Sequence, residues 1–147
     1  ILRNVSLVIV GSGEQLSELE SMISALNLVE HITIENWLSI DEFKALIANS
    51  DLFIHPARFD SFGGAALAMM LGIPVIGSKK AGAAAERIDH GVNGFLYDPE
   101  DLEKLSGYIE RMISDRELTK KMASEAHLTA LSWPPKRGME ILVDNAI

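Results

Sequence analysis

Short apolar runs alternate along this chain with longer stretches in which apolar residues recur every third or fourth position. Val5 to Val10 (VSLVIV) is a β-rich run that ends in Gly11-Ser12-Gly13. Leu16, Leu19, Met22, Ile23 and Leu26 then fall on one stripe, the spacing of an amphipathic helix. His31 to Glu35 (HITIE) predicts a second strand. Ser39 followed by Glu42 is a capping-box signal for a helix carrying Phe43, Leu46 and Ile47. Asp51 to His55 (DLFIH) predicts a third strand, followed by a loop from Pro56 to Ser61 and a small-residue helix from about Phe62 to Leu71. Ile73 to Ile76 and Gly94 to Tyr97 predict a fourth and a fifth strand.

The last third carries only helical spacing. Asp98 and Pro99 have the form of an N-cap and first-turn pair, opening a helix through Leu102, Leu105, Ile109 and Met112. Ser114 with Glu117 predicts the cap of another helix through Leu118, Met122 and Ala126. Trp133-Pro134-Pro135 breaks the chain before a short final helix with Ile141 and Leu142. Strands that alternate with helices, without period-2 patterning, predict an α/β fold: a Rossmann-like parallel sheet buried on both faces, flanked by helices, with a helical C-terminal tail. The 147 residues, 1–147, suit one domain with a substantial core.

Composition narrows the function. A net charge of −8 argues against a nucleic-acid partner, whose phosphates demand a basic surface. The absence of cysteine removes disulfides and thiolate zinc sites, and the four histidines show no metal-ligand spacing, so no metal is expected. The longest apolar stretch, Gly63 to Gly77, is interrupted by Gly72 and Pro74 and predicts no transmembrane segment. The 48% apolar fraction fits a doubly covered sheet or a face that meets another domain.

Three loops carry candidate chemistry. Gly11-Ser12-Gly13, between a strand and a helix, lets backbone approach a phosphate. Glu35, at the end of the second strand, could imitate a ribose-binding acid, which leaves an NAD-type Rossmann domain as one reading. Leu16, where a third glycine belongs, speaks against it. In the segment from Pro56 to Gly64, Asp60 precedes Phe62-Gly63-Gly64 at a helix start. Asp60 would repel a phosphate, but it could accept hydrogen bonds from sugar hydroxyls; alternatively Asp60 or Ser61 only caps the helix. After the fourth strand, Lys79 or Lys80 could neutralise a diphosphate or simply sit in solvent.

Together, LVIVGSGEQLSELE, DLFIHPARFDSFGG and AMMLGIPVIGSKKAGAAAERIDHGVNGFLYDPED resemble the C-terminal domain of retaining GT-B glycosyltransferases of the family 4, or group 1, type, from about residue 5 to 130. The resemblance implies one half of a two-domain architecture, with the donor nucleotide held mainly by this half. It implies that the domain's first strand and helix, with a basic pair for the diphosphate, and an N-terminal acceptor domain precede residue 1. Asp60 stands where the family has the first Glu of an E-x7-E pair that contacts the donor sugar, and is the candidate catalytic residue. Gly11, Gly13, Arg58, Ser61, Phe62, Gly63, Gly64, Lys79 and Glu86 form the candidate donor-binding set, with amides of Phe62, Gly63 and Gly64 near sugar and diphosphate.

The chain departs from the family at several positions. Asp60 is one methylene shorter than Glu. The second Glu, for the nucleotide ribose, is absent: its place falls on Ala68 counted from Asp60, or on Leu67 counted back from Gly72. Asn36 stands where a glycine is frequent. The implied activity is sugar transfer with retention from a nucleotide-diphosphate sugar to a sugar or lipid-linked acceptor, with no cofactor, in the cytoplasm, either free or peripheral at the inner membrane surface. These residues alone are expected to be inactive. A non-catalytic nucleotide-binding or partner domain is the alternative.

Overall fold

The structure is a computed structural model that describes residues 5–133. The chain divides into two compact units, one up to Phe43 and one from Lys44. The final helix expected around Ile141 and Leu142 lies outside the described residues.

The first unit holds β1 (Leu7–Val10), α1 (Leu16–Ala25), β2 (Ile32–Glu35) and the first turn of α2 (Ile40–Ala48). β1 and β2 pair in parallel, from Leu7 against Ile32 to Val10 against Glu35. Helix α1 ends where Asn27 takes φ 55°, with its N–H on Ser24 O and the Leu28 N–H on Ile23 O. That is a Schellman closure with asparagine in the left-handed position usually given to glycine. The capping box forms as expected: the Ser39 N–H and hydroxyl donate to Glu42 Oε2 at 2.8 and 2.6 Å, and the Glu42 N–H returns to Ser39 Oγ. These bonds from Ser39 hold the Glu42 carboxyl below its usual range.

The second unit holds β3 (Phe53–His55), α3 (Ala65–Met70), β4 (Val75–Ser78), α4 (Gly82–Arg87), β5 (Gly94–Tyr97), α5 (Leu102–Ser114) and α6 (Arg116–Leu131). Its strands form a parallel ladder in the order β3-β4-β5. Every residue of the central strand β4 is buried, Ser78 included, which accounts for the absence of apolar-polar alternation along it. Ile76, Phe95, Tyr97, Met112 and Met122 form the buried core, with Leu52, Leu105, Tyr108, Ile109 and Leu118 packed around it. Helix α3, built almost wholly of alanine and methionine, packs against α6 and hides Ala65, Ala66, Ala68 and Met69. Small side chains permit that close approach.

The parallel α/β architecture thus holds, as a two-stranded ladder in one unit and a three-stranded ladder in the other. Several local expectations shift. Helix α4 follows Lys80, in a segment whose sequence pattern marks no element. Helix α5 is capped by Asp101, whose Oδ1 accepts the Lys104 N–H at 3.0 Å, and not by Asp98. Asp98 accepts instead from the Glu100 N–H, an Asx turn one step upstream. The Lys104 contacts keep the Asp101 carboxyl below its usual range. Helix α6 is capped by Asp115 and not by Ser114, whose hydroxyl turns back to Glu110 O and Arg111 O as the last residue of α5.

Candidate functional site

The loop after β3 carries Asp60 together with the candidates Arg58, Ser61, Phe62, Gly63 and Gly64. Pairing of His55 with Gly77 anchors the end of β3. From there the chain runs out and returns beside the start of α4. The Asp60 N–H donates to Lys80 O at 3.2 Å, the Gly82 N–H to Asp60 O at 3.0 Å and the Ala83 N–H to Phe62 O at 2.9 Å. An isolated parallel bridge joins Asp60 to Ala81. This small backbone seam holds the loop against the carboxyl end of the sheet, the edge at which open α/β sheets take ligands.

Two groups meet the Asp60 carboxylate. The His55 ring lies with Nε2 3.1 Å from Asp60 Oδ2, and the Phe62 N–H reaches Oδ1 at 3.0 Å. The Asp60 side chain remains 34% exposed, and that of His55 13%. A carboxylate has about four lone-pair positions, so Asp60 keeps acceptor capacity on its open side. Of the three amides expected to face a ligand, that of Phe62 is committed to Asp60. Gly63 and Gly64 remain candidates, with Gly64 at the N-cap of α3.

Two glycines are required by close approach. Gly63 has φ +80°, and a Cβ there would fall onto the His55 ring. A Cβ on Gly82 would strike the Ser61 carbonyl oxygen. Gly82→Ala is therefore expected to open the seam, lowering stability by about 1–3 kcal/mol, as a thermal melt would register. An unchanged melt would mean that the seam yields without cost.

The remaining candidates are placed as follows. Ser61 is exposed, with its carbonyl against Gly82. Arg58 is exposed and pairs with Glu100 at 3.3 Å. Lys79 lines a recess of about 360 Å³ with His90, Tyr97, Asp98, Lys104 and Tyr108. Glu86 is exposed on α4, and its neighbour Arg87 makes the closer connection to the loop. The Arg87 guanidinium lies 5.4 Å from the Phe62 ring centre and 5.6 Å from that of Trp133. In the first unit, Gly11 donates its N–H to Glu35 O at 2.9 Å. Gly11 and Gly13 line an open recess of about 780 Å³ with Ile9, Ser12, Leu16 and Ile34.

Sequence reasoning missed His55 and Arg87. By spacing alone, all four histidines are ordinary surface or core residues. That fits three of them: His31 and His127 meet main-chain carbonyls, and His90 accepts from the Leu96 N–H. His55 differs. The available signal was a polar residue ending an apolar strand five positions before the acid. Among the described residues, no three His, Asp or Glu side chains gather as a metal would need, and no helix is long and apolar enough to cross a membrane.

Comparison with known proteins gives this arrangement its context. An uncharacterized glycosyltransferase of Methanocaldococcus jannaschii is 32% identical over 113 residues, 76% of this chain and 29% of that protein. A GDP-mannose-dependent α-mannosyltransferase of Corynebacterium glutamicum is 33% identical over 76% of this chain and 26% of its own length. The chain thus spans less than a third of the length of these relatives. Among solved structures, Anabaena HepE in complex with UDP-glucose is 33% identical, with a TM-score of 0.77 over 87% of this chain and 36% of that one. The C-terminal domain of the Francisella tularensis protein LpcC, 24% identical, shares the fold with a TM-score of 0.79 over 86% of this chain and 68% of that one. The fold is that of the C-terminal half of GT-B enzymes. A profile of the family Glycosyl transferases group 1 matches residues 2–129, and the chain belongs to that family.

Proposed function

We propose that this chain is the donor-binding half of a retaining glycosyltransferase that moves a sugar from a nucleoside-diphosphate sugar to a sugar or lipid-linked acceptor. The observation that carries the reading is the Asp60 carboxylate, oriented by His55 and the Phe62 amide and still open on one side. HepE was solved with UDP-glucose, which makes that donor the first to test. As the glycosidic bond breaks, positive charge develops on the sugar and negative charge on the leaving diphosphate. The protein's contribution is then positional and electrostatic: Asp60 orients the sugar, while amides and basic groups meet the diphosphate. The full protein works in the cytoplasm, peripheral to the inner membrane surface where the acceptor is lipid-linked. These residues alone carry out no transfer, because the acceptor is held elsewhere.

The test is calorimetric titration of the protein carrying this chain with UDP-glucose and with UDP. Asp60→Ala should weaken UDP-glucose binding by about ten- to a hundredfold, the worth of a hydrogen bond to a charged group, and leave UDP binding within about twofold. Equal affinity of Asp60→Ala and the parent for UDP-glucose would remove Asp60 from the site. GDP-mannose run in parallel identifies the base.

One observation favours a second reading, a non-catalytic nucleotide-binding domain: the positions of the second acid are the apolar Leu67 and Ala68. Restoring that acid, at Leu67 or at Ala68, separates the two readings.

A further inference from the structure

Resting on the donor-binding role of Asp60, we infer that His55 is a positioning residue: its Nε2–H sets the orientation in which the Asp60 carboxylate meets the donor sugar. The two edges of its ring have different surroundings. Nε2 faces Asp60 Oδ2 at 3.1 Å, whereas Nδ1 is buried without a hydrogen-bond partner among the described residues. A proton on Nδ1 would be an unpaired buried donor, and it would leave the Nε2 lone pair pointing at a carboxylate oxygen. Both are unfavourable, so the neutral ring carries its proton on Nε2 and donates to Asp60.

The geometry makes this contact directional. His55 is the last residue of β3, so its backbone is fixed by the sheet while Asp60 sits on a loop. Rigid elements hold a functional group more closely than loops can. The terminal torsion of an aspartate is broad and roughly two-fold. One donor would leave it free to swing. Two donors on different oxygens, the His55 ring and the Phe62 N–H, close off that rotation. The same ring lies beneath Gly63, where no Cβ can fit, so it also sets how near the loop approaches the strand. An aspartate has one methylene fewer than a glutamate with which to correct its reach, which makes that height matter more here.

A purely structural histidine would fill the same space without needing its donor. The deciding comparison is therefore His55→Leu, which keeps an apolar side chain under the loop, against His55→Gln, which restores an N–H near the Nε2 position. In the full protein, calorimetry should show His55→Leu weakening UDP-glucose about tenfold, as loss of a charge-assisted hydrogen bond would. UDP should stay within about twofold of the parent, and His55→Gln should recover most of the loss. Equal affinity of His55→Leu and the parent for UDP-glucose overturns the proposal. So does a parallel fall for UDP and UDP-glucose that tracks a lowered melting temperature, since that marks a packing role.

Nitrogen-15 NMR of labelled histidine reads the contact without a ligand. His55 should show a protonated Nε2 and a bare Nδ1, and Asp60→Asn should move the Nε2 signal more than that of any other histidine. A protonated Nδ1, or an Nε2 signal indifferent to Asp60→Asn, overturns the proposal even if His55→Leu does not fold. Failure of the parent protein to bind UDP-glucose counts against the donor reading instead, and the NMR result then decides the role of His55.

Discussion

Ala68→Glu will unfold the unit built on β3, β4 and β5, whereas Leu67→Glu will leave it folded. Ala68 is fully buried, in a helix whose Ala65 and Met69 are equally inaccessible and which packs against α6. A glutamate there must either bury its charge or take up a proton. Full burial can raise a carboxyl pKa by about 3–5 units, a cost of roughly 4–7 kcal/mol, before the added volume is counted. Domains of this size hold only about 5–15 kcal/mol in total. Leu67 is one position along the helix and partly exposed, so its carboxylate can reach water. Circular-dichroism melts of the two variants check this, and equal melting temperatures would contradict the burial argument.

The same pair bears on function. The sequence leaves the place of the second acid open between two positions, and of the two only Leu67 is exposed enough to carry a carboxylate. Leu67→Glu in the full protein is expected to tighten UDP-glucose binding by about tenfold, the worth of a charge-assisted hydrogen bond to the ribose. Unchanged affinity would favour the non-catalytic reading.

Phe95→Ala will lower the stability of the same unit by about 3–5 kcal/mol. Phe95 is 2% exposed and lies at the centre of an aromatic cluster. Its ring stacks on Tyr108 with centres 4.4 Å apart and planes 4° from parallel, and it meets the His90 ring edge-on at 5.6 Å. The Arg111 guanidinium covers it at 5.4 Å. Truncation removes all of these contacts and opens a cavity between β5 and α5, which the paired strand β4 cannot collapse to fill. Urea denaturation measures the change. A loss below about 1 kcal/mol would mean that the neighbours relax into the space, as they do at surface sites.

The main features of the fold were legible because the apolar runs are short and sharply bounded. Ser39 and Glu42 announced their helix, and the capping box is present bond for bond. Helix α4 escaped notice because six residues beginning Gly-Ala-Ala-Ala show no stripe, and it is held by the seam to Asp60 and Phe62 more than by its own pattern. The caps of α5 and α6 were misplaced because Asp98 and Asp101, and likewise Ser114 and Asp115, compete for the same role within a few residues. Main-chain geometry decides such contests. At the site, the resemblance pointed to Asp60 but carried no information about its support. His55 lies five residues away through a turn, and no periodicity links two such positions. Arg87 was passed over for the adjacent acid Glu86, because its stacking on Phe62 is a tertiary contact.

Asp115 alone separates α5 from α6. Its N–H closes the first helix on Arg111 O, and its carboxylate opens the second at the Leu118 N–H. The Thr119 hydroxyl then reaches back to Met112 O at 2.7 Å. The two helices therefore have a fixed rotational phase. One inserted residue would turn all that follows by about 100°, carrying Met122 and Ala126 out of the core. Changes of chain length are thus barred at this corner and must be taken up in loops such as the one before Asp60. Among related chains, gaps in an alignment should avoid position 115.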